Sequence, residues 1–206
     1  MTLTSTQTTA VGRVAIAIGA VTLIGFVFIV LFFVLNIRLF GSLNDACIAL
    51  AAILGAVLAW LTQPFYQAQS PRWSRLALAV AVIGALIVAL GAWLVISATT
   101  GYVLAALYMT FGNGFLGLWV LGFNRAAAQT GRWPRRLVWF GQVTGIIMLV
   151  GLITLFGILG GVDSDVNPPW HVNLGNVGML GWYLLFPIWS VWLGYALRSA
   201  KTITSN

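Results

Sequence analysis

The 206 residues are 61% hydrophobic and 6% charged, with a mean hydropathy of +1.01. A soluble domain carries about one quarter charged residues, so this chain cannot cover itself with a polar surface and its solvent is mostly lipid. The net charge of +7 does not point to nucleic acid, because the basic residues fall between apolar runs and read as topology signals.

The reactive inventory is short. There is no glutamate, the acids are Asp45, Asp163 and Asp165, and His171 is the single histidine. Paired axial histidines for haem are therefore excluded, and zinc-hydrolase motifs, glycine-rich nucleotide loops and Ser–His–Asp sets are absent. The lone Cys47 permits no internal disulfide.

In chain order, residues 1–12 form a Thr-rich, frayed tail. The first span is 14–36, too long for a signal-peptide core of about 7–15 residues and with no basic n-region ahead of it beyond the flanking Arg13, so it reads as retained. The second, 45–61, opens at Gly41-Ser42-Leu43-Asn44-Asp45 and closes at Gln63-Pro64. The third and fourth are 76–97 and 102–123, joined by a very short loop. The fifth is 137–160, opened by Pro134, and the sixth is 177–197, with Pro187 near its middle. The expected fold is all-α: a single domain over 1–206, a bundle of six transmembrane helices with both termini on one side.

Nine of the ten basic residues fall on the side of the termini, and Arg38 alone lies opposite. The positive-inside rule then places both termini in the cytoplasm of a cell carrying the protein in its inner membrane. No internal repeat is visible between the two halves.

The segment 109–117 holds the least expected choice in the chain, Asn113 between Gly112 and Gly114 at the centre of a span. The other helices are expected to pack around it. Thr110 and Asn113 share a helical face. An unpaired amide in hydrocarbon costs on the order of 4–8 kcal/mol, so Asn113 must face protein or water. It reads as a helix–helix hydrogen bond, or as a polar ligand contact at the midplane. Pro187 leaves the Tyr183 carbonyl without its helical donor. Thr110 or Asn113 could satisfy that carbonyl if the fourth and sixth spans touch.

Trp182, Phe186, Trp189 and Trp192 lie within one arc of the sixth span. Trp182 and Trp192 suit interfacial belts, whereas the deeper Trp189 suits packing or a flat surface for a ring-bearing ligand. Small-residue stripes (Ala77, Ala81, Ala85, Ala89; Ala51, Gly55, Ala59; Gly141, Gly145) read as helix packing within the protomer, with a homodimer face as the alternative. Asp45 reads as the cap of the second span, and otherwise as a proton carrier. The loop from Asp163 resembles the start of a calcium loop, but Pro168 stands where glycine is needed and Leu174 where glutamate is needed. A looser site of Asp163, Asp165 and His171 is the alternative to a solvated turn. Arg125, Arg132, Arg135 and Arg136 set orientation and contact anionic headgroups.

Leu43-Asn44-Asp45 leading into an Ala-rich helix, and Pro187-Ile188-Trp189 followed by Trp192-Leu193-Gly194, resemble small multi-pass bacterial membrane proteins to which no activity is assigned. The resemblance brings no cofactor and no site residue. The expected function is non-catalytic, with no metal or cofactor: an accessory subunit or a binder of a lipid-like ligand. Its partners are the bilayer, anionic headgroups, and another membrane subunit or a second copy. The alternative is a small transporter or channel around Thr110 and Asn113.

Overall fold

A computed structural model describes residues 5–67, 70–131, 133–164 and 166–203. The helices are α1 (Ser5–Leu35), α2 (Arg38–Thr62), the short α3 (Pro64–Gln67), α4 (Pro71–Ile96) and α5 (Tyr102–Thr130). They continue with α6 (Arg135–Leu149), a 3-10 segment (Val150–Thr154), α7 (Leu155–Leu159), α8 (Trp170–Leu180), a π-helical segment (Gly181–Leu185) and α9 (Phe186–Ile203). Among the described residues there is no strand. Six stretches are long and apolar enough to cross a membrane: α1, α2, α4, α5, the run from α6 to α7, and the run from α8 to α9. This is the architecture of a multi-pass membrane protein.

The helices form a closed ring in chain order: α1 against α2, α2 against α4, α4 against α5, α5 against α6, and α9 against α1. The outward surface is apolar, with residues such as Phe33, Leu86 and Leu159 exposed. Small and aromatic residues fill the interior. Lipid supplies no hydrophobic drive between helices, so close backbone approach must hold them together.

Glycines provide that approach on both flanks of α5. A Cβ at Gly112 would stand 2.6 Å from the Gly84 carbonyl oxygen, and one at Gly84 would stand 2.7 Å from the Gly112 oxygen. Gly117 and Gly145 meet in the same reciprocal way between α5 and α6. Two glycines of the 109–117 segment are thus the crossing points with both neighbours. Ala51, Gly55, Ala59, Ala81, Ala85, Gly141 and Gly145 are all buried within the bundle.

Several boundaries differ from expectation. α1 reaches back to Ser5, through the predicted frayed tail. α2 begins at Arg38, seven residues before the expected start at Asp45, because Leu39, Phe40 and Leu43 carry the helix through the Gly41–Asn44 stretch. The fifth loop is shortened by α8, which starts at Trp170. The fifth span is interrupted by its 3-10 segment. There Thr154 Oγ1 donates to the Leu107 carbonyl of α5 at 3.2 Å and to the Gly151 carbonyl at 2.7 Å.

The sixth span handles Pro187 by winding wider. Within the π-helical segment the Phe186 N–H bonds to the Gly181 carbonyl, five residues back. A proline removes one helical bond and crowds the carbonyl four residues earlier. A π-turn immediately ahead of it relieves that crowding and rotates the preceding side chains.

Candidate functional site

Thr110 and Asn113 are both buried, at 1% and 2% exposure. They do not form a joint site. The Thr110 hydroxyl donates to the Ala106 carbonyl of its own helix at 2.8 Å, and so is not spent on Tyr183. Asn113 Oδ1 is buried with no hydrogen-bond partner among the described residues. The expectation that Asn113 faces into the bundle agrees with its burial; the expected partner for that oxygen is missing.

The fourth and sixth spans touch through aromatic rings. Trp182, Phe186 and Trp189 stack in sequence, with centroids 5.1 and 5.9 Å apart. Trp189 then meets Trp119 and Phe123 of α5 edge-on, at 5.9 and 6.0 Å. Its indole N–H donates to Asn124 Oδ1 at 3.3 Å, and Asn124 Nδ2 donates to the Val120 carbonyl at 2.8 Å. Trp189 is fully enclosed by protein, so the surface expected for a ring-bearing ligand is already covered by the chain's own rings. Trp182 is likewise in the core and not in an interfacial belt.

Asp45 is not a helix cap. It stands seven residues inside α2, about 10 Å along the helix from its first residue, and is 3% exposed. Asn44 Nδ2 donates to its Oδ1 at 3.1 Å, and the Tyr183 hydroxyl donates to Asn44 Oδ1 at 3.0 Å. Among the described residues Arg38 makes no ion pair with it. Asp45, Arg38, Ser42, Thr100 and Tyr102 all line one cavity of about 250 Å³.

The cap is Asp163. Its Oδ2 accepts from the Gly101 N–H at 2.8 Å and its Oδ1 from the Leu104 N–H at 3.0 Å, closing the first turn of α5 from 62 residues away. That occupies both carboxylate oxygens. Asp165 lies outside the described residues, and His171 packs edge-on against Trp170 and Phe156. Among the described residues no group of three His, Cys, Asp or Glu side chains is placed to hold a metal.

Arg125, Arg135 and Arg136 are exposed; Arg132 lies outside the described residues. Arg125 also borders a groove of about 620 Å³ between α4 and α5. Leu76 and Val80 form one wall, and Leu118 and Gly122 the other. Ser70, Arg125 and Gln129 stand at one end, beside the exposed Trp73. A Cβ at Gly122 would meet nothing within 4 Å, so this glycine opens the groove. Trp119 lines it as well, and its Nε1 is buried without a partner among the described residues.

Sequence reasoning found Arg125 but missed the groove, since Gly122 looks like any other helical glycine. It also missed Tyr183 and Asp163 as partners. No protein-family profile matches the chain, and neither does any curated protein or solved structure.

Proposed function

We propose that the protein is a non-catalytic, lipid-binding component of the cell's inner membrane, with both termini in the cytoplasm. It seats one chain of an anionic amphiphile in the α4–α5 groove, as an accessory protein that presents or retains that lipid. The groove's form supports this reading. Its walls are apolar over about two turns of each helix, and its polar end carries Arg125 and Gln129, which suit an anionic headgroup.

The carrying observation is the apolar groove itself, left open by Gly122 and ending at Arg125; Trp119 lines it, with its own Nε1 buried and unpartnered among the described residues. An unsatisfied buried donor costs about 1–3 kcal/mol. Trp119 lies six residues from Arg125, about 9 Å along the helix. A headgroup on Arg125 places the acyl chain along Gly122 and Leu118.

Arg125→Gln tests the charge. Native mass spectrometry of the detergent-purified protein, supplied with equal phosphatidylglycerol and phosphatidylcholine, should show preferential phosphatidylglycerol adducts. The variant should lose that preference. Equal adducts in the parent would remove the anionic part of the reading.

A transport reading is favoured by one observation, the orphan Asn113 oxygen at the centre of α5. Thr110 offers it little help, being bonded to its own helix. Ion conductance in planar bilayers, lost in Asn113→Leu, would put transport first.

A further inference from the structure

We infer that the cavity beside Asp45 binds a small zwitterion, with a primary ammonium group on the Asp45 carboxylate and an anionic oxygen group toward Arg38. Asp45 is a nearly enclosed carboxylate within a span. Such a charge is costly unless it is paired. Its described hydrogen bond is one donor from Asn44, and a carboxylate accepts about four. Asn44 cannot turn away, because its own oxygen is held by Tyr183. The amide is therefore fixed as a donor to Asp45, and the remaining carboxylate lone pairs are free for a ligand.

Arg38 decides the class of that ligand. It lines the same cavity, exposed, without pairing to Asp45. A metal cation would sit near the Arg38 guanidinium, and a simple anion would sit near Asp45. A neutral solute would leave both charges uncompensated. A molecule carrying both signs satisfies each end. Ser42 and Thr100 line the same cavity. The Phe32 and Tyr102 rings, 6.5 Å apart, add aromatic faces that favour an ammonium.

The volume fits. At about 30 Å³ per water, 250 Å³ holds about eight water-sized groups, the size of phosphoethanolamine or a small amino acid. The same chemistry comes from a free solute or from the headgroup of phosphatidylethanolamine.

The test uses the full chain purified in detergent and stripped of lipid. Equilibrium binding is measured for labelled phosphoethanolamine, for phosphatidylethanolamine in mixed micelles, and for phosphatidylcholine, whose ammonium has no N–H. Saturable binding of phosphoethanolamine identifies a free solute; binding of the lipid alone identifies a headgroup. In either case Asp45→Asn and Arg38→Gln should each weaken binding at least tenfold. Arg38 is exposed at the first residue of α2, so its variant reads the site even if Asp45→Asn fails to fold. Binding of neither ammonium compound, binding unchanged in Arg38→Gln, or equal binding of phosphatidylcholine would overturn the proposal. Lipid adducts at the α4–α5 groove are unaffected by these variants, so the two sites fail separately.

Discussion

The Tyr183 hydroxyl donates to Asn44 Oδ1 at 3.0 Å, joining the π-helical turn of the last span to the second span across 139 residues. Tyr183 sits within the wider winding ahead of Pro187. The bond fixes the Asn44 amide against Asp45.

Tyr183→Phe keeps the ring, including its contact with Phe26 at 5.9 Å, and removes the hydroxyl. Hydrogen bonds between helices in a membrane contribute about 0.6–1.7 kcal/mol. The variant should unfold at a temperature a few degrees lower in detergent. No change in thermal unfolding would show that the bond does not form in the membrane protein.

Asp163 caps α5, the fourth span, and not the second span for which the sequence suggests Asp45. Asp163→Ala should destabilise by about 0.5–2 kcal/mol, and Asp163→Asn by less, since asparagine caps nearly as well. Equilibrium unfolding in mixed micelles measures both. Equal losses would mean that charge, and not capping, is what matters there.

The six spans are legible from composition and spacing alone, and so is the burial of Asn113; the expectation that the other helices pack around the 109–117 segment is not met, since α5 is one member of a ring and its main neighbours are α4 and α6. The start of α2 is not legible, because Ser42, Asn44 and Asp45 look locally like a cap while the helix is carried through them by Leu39, Phe40 and Leu43. The cap of α5 has no local signal, since Asp163 lies 62 residues from Gly101 in the chain. The groove is invisible for a similar reason: whether Gly122 packs like Gly112 or opens a space depends on what faces it.

The two glycine classes can be separated by substitution. Gly112→Ala places a methyl against the Gly84 carbonyl and Val88, and overpacking of this kind costs about 1–3 kcal/mol. Gly122→Ala meets open space and should stabilise the helix by up to about 1 kcal/mol. Thermal unfolding of the pair should move in opposite directions. Movement in the same direction would contradict the crossing geometry.

Orientation rests on the nine basic residues of one face. A reporter active only in the cytoplasm should work when fused after Asn206 and fail when inserted between Gly160 and Gly161. The reverse result would invert the bundle and move the α4–α5 groove to the outer leaflet.

The central claim is that a lipid chain occupies the α4–α5 groove. Gly122→Leu extends a side chain into the groove toward α4 from a Cβ position with nothing within 4 Å, so the fold should persist with little change in thermal unfolding. Native mass spectrometry of the parent and this variant, purified side by side, tests the claim most directly. The parent should carry one retained phospholipid, and Gly122→Leu should lose it, at least tenfold in occupancy. Equal lipid retention by a correctly folded Gly122→Leu protein would contradict the claim.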